Sequence, residues 1–243
     1  MFLLEVKNLT KRFGGLVAVE SLSFAVNAGE TVSIIGPNGA GKTTVFNLIT
    51  GFYRPTSGEI RFDGWDLIGS RPHKIALAGV GRTFQVVKPL RGLTVYENVL
   101  VGAFAHTGDR SEAKRIACEI LDFTDLASLS EMIADGLPIG MRKRLELARS
   151  LATSPKLILL DEVMSGLNPT ESKEAIDLIR RLRDERGISA VAGVEHVMQV
   201  VMSISDRVIV LNHGKKIAEG PPSKVIDNPD VIEAYLGKNG NSV

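Results

Sequence analysis

The sequence predicts an α/β fold with a mixed, mostly parallel sheet, an antiparallel β-region near its start and an inserted helical region. Three observations support this prediction. Short runs that alternate apolar and polar residues dominate the first part of the chain, and a helical period dominates residues 86–150. After them, apolar runs of strand length alternate with a helix, which is the order of a parallel sheet with right-handed crossovers.

The first part of the chain predicts antiparallel strands. Residues 4–6, 22–26 and 60–62 alternate apolar and polar side chains, as half-buried strands do. The last of these runs ends at Asp63 and Gly64, a strong hairpin signal. We therefore expect a small antiparallel sheet beside the apolar, β-branched strand at residues 31–35.

The middle of the chain predicts helices with the 3.6-residue period of an amphipathic surface. Their expected spans are residues 94–101, 111–121 and 140–152. The single cysteine, Cys118, excludes an intrachain disulfide, and we expect it to pack inside the second of these helices.

The last part of the chain predicts a strand–helix–strand order. The apolar runs of strand length are residues 157–160, 188–194 and 208–211. Between the first two, residues 169–186 predict a helix that begins with Pro and Thr and stops at Gly187. A turn signal at residues 212–214 precedes a return strand near residues 216–218.

The composition indicates a globular protein whose main partner is not nucleic acid. Hydrophobic residues make up 44% of the chain and charged residues 23%, and the formal net charge is +1, so no strong basic field is expected. The apolar runs fall well short of the ~20 residues of a membrane-spanning helix. Residues 1–5 lack a charged leader and a cleavage site, so we expect a cytoplasmic protein that reaches a membrane only through a partner.

A phosphate-binding motif follows the strand at residues 31–35. Residues 36–43 read GPNGAGKT, which matches G-x-x-x-x-G-K-[ST], and a helical run follows. In such a loop backbone N–H groups face a polyphosphate, Lys42 places a charge near the β- and γ-phosphates, and Thr43 holds Mg²⁺. The residues expected to bind nucleotide are Gly36, Pro37, Asn38, Gly39, Ala40, Gly41, Lys42, Thr43 and Thr44. The sequence therefore predicts a P-loop NTPase core.

Two carboxylates follow the apolar run at residues 157–160. At the carboxyl end of a buried strand, Asp161 would orient Mg²⁺ directly or through water, and Glu162 would polarise the water that attacks the γ-phosphate. An acidic strand end is also common in α/β proteins without catalysis, and these two residues alone leave both interpretations open.

These patterns predict one domain over residues 1–243. We expect the antiparallel β-region and the phosphate-loop core in residues 1–85 and a helical subdomain in 86–150. Residues 151–236 should complete the core with a C-terminal hairpin and helix, and residues 237–243 should form a tail.

The chain resembles the ATP-binding subunits of ABC transporters over nearly its whole length, with motifs in that family's order. Besides the two nucleotide motifs, the matching segments are residues 11–15, 81–85, 165–169 and 194–196. The resemblance implies that Phe13 stacks on adenine, although a strand-end core position is the alternative. It also implies that Gln85 reaches Mg²⁺ and the attacking water, that His196 bonds the γ-phosphate, and that Asn168 lies in a loop contacting an opposing subunit.

One motif departs from the family pattern. The signature loop usually reads LSGGQ, whereas residues 137–141 read LPIGM. Pro138 removes a serine hydroxyl and Met141 a side-chain amide, which leaves Gly140, backbone N–H groups and a helix N-terminus for the phosphate of the opposing subunit. Val163 replaces the proline that commonly follows the catalytic glutamate.

With these departures, the chain resembles the ATPases of branched-chain (hydrophobic) amino acid importers. Residues 166–169 and 234–237 carry the same resemblance. ATPases of urea and short-amide importers are very similar and stay open as an alternative. The resemblance implies ATP and Mg²⁺ as cofactors and hydrolysis of ATP to ADP and phosphate. It also implies a second ATPase subunit, in a homodimer or more readily a heterodimer, two transmembrane permease subunits on the inner face of the plasma membrane, and indirectly a substrate-binding protein. Leu90 and Leu93 should stay exposed in the groove for the membrane partner.

Two other classes of function stay open for this chain. A soluble ABC ATPase could act as an ATP switch on DNA or ribosomes, but DNA-repair members carry long coiled-coil insertions and ribosome-acting members usually carry two ATPase domains. Pro138 and Met141 also make a non-hydrolysing binding module conceivable.

Overall fold

The computed structural model describes residues 2–84, 88–161, 164–193 and 198–236. Within these ranges one sheet is antiparallel, in the order β2-β1-β4-β5. Its strands are β1 (Leu4–Phe13), β2 (Leu16–Val26), β4 (Ser57–Phe62) and β5 (Trp65–Asp66). Asp63 and Gly64 join the last two with φ values of 48° and 80°, the positive pair that a two-residue hairpin turn needs. The predicted antiparallel sheet is confirmed.

The second sheet is mixed and carries the phosphate-binding motif. In the described residues its order is β10-β9-β3-β8-β7-β6. The strands are β3 (Thr31–Ile35), β6 (Val80–Arg82), β7 (Leu157–Asp161), β8 (Ser189–Gly193), β9 (Arg207–Asn212) and β10 (Lys215–Gly220). All described pairings are parallel except that of β10 with β9, which follows the predicted turn at residues 212–214.

Helices cover the mixed sheet and fill the middle of the chain. They are α1 (Lys42–Ile49), α2 (Pro72–Leu77), α3 (Val95–His106), α4 (Arg110–Phe123), α5 (Ile139–Leu151), α6 (Pro169–Arg186), α7 (Met198–Ile204), α8 (Pro222–Val225) and α9 (Pro229–Leu236). The expectation that Cys118 packs inside α4 is wrong, because its side chain is exposed. The buried face of α4 includes Ala113, Ile116, Ala117 and Ile120, and a 3.6-residue period turns position 118 outward.

Two hydrophobic clusters lie on opposite faces of the mixed sheet. Along β7, Leu157 and Leu159 join the cluster on the side of the antiparallel sheet, whereas Ile158 and Leu160 join the helical side. Burial on both faces explains why this strand reads as a continuous apolar run rather than an alternating one. Within the described ranges, no helix combines the length and apolar character needed to cross a membrane.

Candidate nucleotide-binding site

The backbone of the phosphate loop requires glycine at two positions. Gly36 has φ +150°, and a Cβ atom there would lie 2.1 Å from the carbonyl oxygen of Leu211. Gly41, the N-cap of α1, has φ +105°, and its Cβ would lie 2.5 Å from the carbonyl oxygen of Ala18. Side chains at these positions would push the loop away from β9 and β2.

The loop holds its lysine close to its own backbone. Lys42 is only 9% exposed, and its Nζ donates to the carbonyl oxygens of Gly36 at 2.6 Å and Pro37 at 3.1 Å. Asn38, Gly39 and Thr43 are exposed, Pro37, Gly41 and Thr44 are half-buried, and Ala40 is buried. The loop therefore combines a buried Lys42 ammonium with exposed residues just before a helix N-terminus. Such an arrangement can bind a phosphate group.

The sheet register brings Asp161 to the same edge as the loop. Asp161 pairs with Gly193 of β8, which in turn pairs with Ile34 of β3, two residues before Gly36. Neighbouring strands lie about 4.8 Å apart, so Asp161 stands roughly 10 Å across the sheet from Ile34. The carboxyl ends of parallel strands are where α/β proteins bind ligands.

The Asp161 carboxylate is paired with an arginine that sequence reasoning missed. Arg82 Nη2 donates to Asp161 Oδ2 at 2.9 Å, and the side chains are 6% and 5% exposed. Arg82 Nη1 donates to Asn47 Oδ1 at 2.7 Å and to Thr50 Oγ1 at 3.1 Å. The Asp161 N–H donates to Thr83 Oγ1 at 3.1 Å. Arg82 therefore joins the carboxylate on β7 to helix α1. In the sequence, Arg82 was marked only by its position inside the matching segment 81–85.

The residues present fit a metal ion whose ligands come partly from the protein and partly from a bound nucleotide. Among the described residues, no cluster of three or more His, Cys, Asp or Glu side chains could hold a metal by itself. Thr43, the second residue of α1, is exposed, and the described bond from Arg82 uses Oδ2 of Asp161. Mg²⁺ is commonly held by one or two such oxygen ligands together with substrate phosphates.

Phe13 is a surface aromatic rather than a core residue. It is 41% exposed and meets Tyr53, which is 39% exposed, at a ring-centroid distance of 5.2 Å and an interplanar angle of 77°. Lys11 Nζ lies 4.8 Å from the centroid of the Phe13 ring. The strand-end core alternative is wrong, and the exposed pair offers aromatic surface to a planar base. Tyr53 was missed because it lies in no motif.

Comparison with known proteins decides the family. Residues 19–165 match the family model described as ABC transporter, and residues 215–240 match one described as branched-chain amino acid ATP-binding cassette transporter. The high-affinity branched-chain amino acid transport ATP-binding protein BraF of Pseudomonas aeruginosa is 44% identical over 97% of this chain and 98% of that protein. The chain belongs to the ABC transporter family.

Solved ABC structures share the fold. The ADP conformation of an ATP-binding cassette is 32% identical, with a TM-score of 0.88 over 98% of this chain and 100% of that one. A dimeric cassette in a post-hydrolysis state, bound to ADP and Pi, is 28% identical, with a TM-score of 0.80 over 90% of this chain and 98% of that one. The predicted fold class is confirmed, and as an ABC ATP-binding subunit the chain hydrolyses ATP.

In this ABC ATPase, the signature stretch packs against the first turn of α6 of the same chain, and the start of α5 also contacts the loop before α6. A Cβ on Gly140 would lie 2.6 Å from Glu171 Oε1. Glu171 forms a capping box with Asn168, whose side chain accepts from the Glu171 N–H at 2.9 Å. Lys143 Nζ donates to the carbonyl oxygen of Ser165. The Asn168 side chain therefore caps its own helix, and the contact with an opposing subunit stays a prediction.

Three predicted catalytic residues of the ABC ATPase lie outside the described residues. Gln85, Glu162 and His196 come after β6, β7 and β8, which are neighbours in the sheet. Their roles stay predictions, as does the consequence of Val163.

A cleft of about 920 Å³ in the ABC ATPase is lined by residues of the mixed sheet and of α2, α3 and α5. Exposed Phe52, Phe84 and Val101 line it. The expectation that Leu90 and Leu93 stay exposed is wrong, since both are half-buried.

Asn98 explains this burial at Leu90. The side chain of Asn98 is fully buried, accepts from the Leu90 N–H at 2.8 Å and donates to the Thr94 carbonyl at 2.9 Å. It thereby holds the segment before α3 against the helix.

Glu146 of α5 connects the signature helix to the segment before Gln85. Its Oε1 accepts from the Phe84 N–H at 2.7 Å. Burial raises the pKa of Glu146 to about 7, against the lowering effects of that hydrogen bond and of Arg149, Lys143 and Arg82. The sequence pattern assigned no role to Glu146.

We expect Glu146→Gln to reduce the pH dependence of stability. Because the folded-state pKa is about 7 and the ordinary value is 4.5, the folded state binds more protons between these values. The free energy of unfolding therefore falls as the pH rises through this window. Glutamine can still accept from the Phe84 N–H but does not ionise. The measurement is urea unfolding of both proteins between pH 5 and 8.

The control is Glu59→Gln, which neutralises an exposed carboxylate on β4. The stability of Glu146→Gln relative to wild type should improve as the pH rises. Equal pH slopes for wild type and Glu146→Gln would contradict the prediction.

Proposed function

We propose that this chain binds ATP and Mg²⁺ at residues 36–44 and uses ATP hydrolysis to drive import of branched-chain or other hydrophobic amino acids. The observation that carries the proposal is the phosphate loop, with its buried Lys42, at the sheet edge where Asp161 ends β7. The substrate class is supported by the near-full-length relative and by the match at residues 215–240.

The loop binds the phosphates and shares the metal. Backbone N–H groups and the Lys42 ammonium hold the β- and γ-phosphates at the start of α1. Thr43, Asp161 and Gln85 are the proposed protein ligands or water-mediated partners of Mg²⁺. When bound, Mg²⁺ supplies positive charge that offsets the phosphate oxygens. Arg82 keeps the Asp161 carboxylate in place.

The remaining proposed roles concern the attacking water and the adenine ring. Glu162 accepts a proton from the water that attacks the γ-phosphate, and His196 donates a hydrogen bond to that phosphate. Gln85 orients the same water. Phe13, with Tyr53 against its edge, stacks on adenine.

A second ATPase subunit completes each nucleotide site, in a heterodimer within the cell. The first turn of α5, which includes Gly140, offers backbone N–H groups to the γ-phosphate held by the opposing loop. Among the described residues no side chain caps this helix start. The dimeric cassette with ADP and Pi is a structural relative that supports this arrangement.

Two transmembrane permease subunits dock in the cleft between the core and residues 86–150, on the inner face of the plasma membrane. The exposed apolar side chains of Phe52, Phe84 and Val101 support this proposal, because surfaces of this kind mark protein partners. A substrate-binding protein acts indirectly, through the permease.

The test uses tagged Glu162→Gln with ATP and Mg²⁺, purified from gently solubilised membranes of its own cells. We expect mass spectrometry to identify two polytopic membrane proteins and a second, similar ATPase. The control is Lys42→Ala, which removes the phosphate charge and should recover less of the second ATPase. Recovery alone or with ribosomal or DNA-associated proteins would overturn the transporter function. Co-purified permeases of a urea or amide system would overturn the substrate class.

A further inference from the structure

The aromatic pair of Phe13 and Tyr53 lies within reach of a nucleotide bound at the phosphate loop. Strand β2 touches the loop where a Cβ on Gly41 would meet the Ala18 carbonyl oxygen. Leu16, two residues earlier in β2, is the strand partner of Phe13 in β1. Two residues of a strand span about 7 Å, so the pair stands beside the loop at a separation like that of a base from its phosphates.

The segment that carries Tyr53 is bound to two other elements. The Tyr53 N–H donates to the Asn47 carbonyl oxygen of α1 at 3.0 Å. The Thr56 N–H donates to the Thr10 carbonyl oxygen of β1 at 2.8 Å. Helix α1 begins at the phosphate loop, and β1 ends at Phe13. The backbone beneath the two rings is therefore fixed to the loop's own helix, whereas the rings themselves are exposed.

Lys11 joins the two rings. Its Nζ lies 4.8 Å from the ring centroid of Phe13 and 5.8 Å from that of Tyr53. It also donates to the Arg54 carbonyl oxygen at 2.8 Å, next to Tyr53 in the chain. The ion pairs of the described residues include other lysines but not Lys11. Its charge is therefore directed at the rings, whose faces attract a cation, and at that carbonyl.

We infer that Lys11 is a positioning residue for the base of ATP, holding the rings of Phe13 and Tyr53 in one arrangement before the nucleotide binds. This inference rests on the proposed stacking of Phe13 on adenine. Exposed rings that are free to change rotamer lose that freedom when a ligand binds, and ordering them beforehand lowers this cost. The effect concerns the base end of the nucleotide, because residues 36–44 are proposed to bind the phosphates.

The test compares AMP-PNP with tripolyphosphate, which has the phosphates without the base, by calorimetry of the full-length protein with Mg²⁺. Lys11→Met keeps the length of the side chain and removes its charge. The dissociation constant for AMP-PNP should rise about 3- to 10-fold, and that for tripolyphosphate should stay unchanged. Lys11→Arg should restore AMP-PNP binding, because it keeps the cation. The matched control is Lys7→Met, which removes an exposed lysine of the same strand and should change neither constant.

A double-mutant cycle tests whether Lys11 acts through the rings. In the Phe13→Ala background, adding Lys11→Met should weaken AMP-PNP binding little further, because the ring that Lys11 positions is absent. A full additional loss in that background would assign Lys11 to direct contact with the nucleotide and overturn the inference.

Other results would overturn the inference in distinguishable ways. Unchanged AMP-PNP binding in Lys11→Met would show that the rings need no cation. Equal weakening of both ligands would show a general effect on the site rather than one on the base. Unchanged AMP-PNP binding in Phe13→Ala would refute the stacking on which the inference rests. Failure of wild type to bind either ligand would instead refute the proposed function of the phosphate loop.

Discussion

Glu162→Gln is expected to retain ATP and to lose its hydrolysis, with steady-state turnover lowered by about 10²- to 10⁴-fold. Glutamine keeps the size of the side chain but cannot accept the proton of the attacking water. Nucleotide binding depends on the loop at residues 36–44 and should survive. The measurements are phosphate release by the complex assembled with its partners, and calorimetric titration of the variant with ATP and Mg²⁺.

The matched control for turnover is Glu59→Gln, which removes an exposed carboxylate of β4 that pairs only with Arg61 among the described ion pairs. Its rate should equal that of wild type. Turnover of Glu162→Gln within a few-fold of wild type would remove this residue from its role as base. Loss of ATP affinity in the same variant would instead assign it to binding.

Arg82→Ala is expected to lower the free energy of unfolding by about 3–5 kcal/mol. The substitution leaves the Asp161 carboxylate buried without its cation and removes the donors used by Asn47 and Thr50. Unpaired buried charge is more costly than the pair is stabilising, so the loss exceeds the value of one hydrogen bond. Urea unfolding at neutral pH measures it.

Arg61→Ala provides the comparison, because its pair with Glu59 is more than half exposed on both sides. Exposed pairs contribute roughly 0–1 kcal/mol. Adding Asp161→Asn to Arg82→Ala should recover part of the loss, since the two residues interact directly. A loss below about 1 kcal/mol for Arg82→Ala would show that solvent or another group replaces the guanidinium.

The two substitutions distinguish a residue proposed to act in hydrolysis, Glu162, from a residue that holds the site in place, Arg82. In the proposed dimer, ATP stabilises closure because it contacts both subunits, and hydrolysis with Glu162 as the proposed base removes that bridge. Arg82 has no proposed role in the reaction, and its side chain bonds both α1 and β7. The helix that follows the phosphate loop and the strand that carries Asp161 are thereby held in one geometry.

Local signals predicted several elements closely. Helix α6 spans Pro169–Arg186 as predicted, because Asn168 caps its start and Gly187 ends it with φ 63°. Helix α3 extends to His106, past the predicted residue 101, and Gly102 obscured the helical signal there. That glycine serves packing, since its Cβ would lie 2.5 Å from the Arg149 carbonyl of α5.

The sequence by itself determined the phosphate loop, the order of strands and helices, and the class of chemistry, because these depend on residues close together in the chain. The tertiary structure decided which distant residues meet: Arg82 with Asp161, Glu146 with the Phe84 N–H, and Gly140 with Glu171. Periodicity states which face of an element is buried, but it does not state what covers that face. Those partners are set only when strand order and helix packing close the chain on itself.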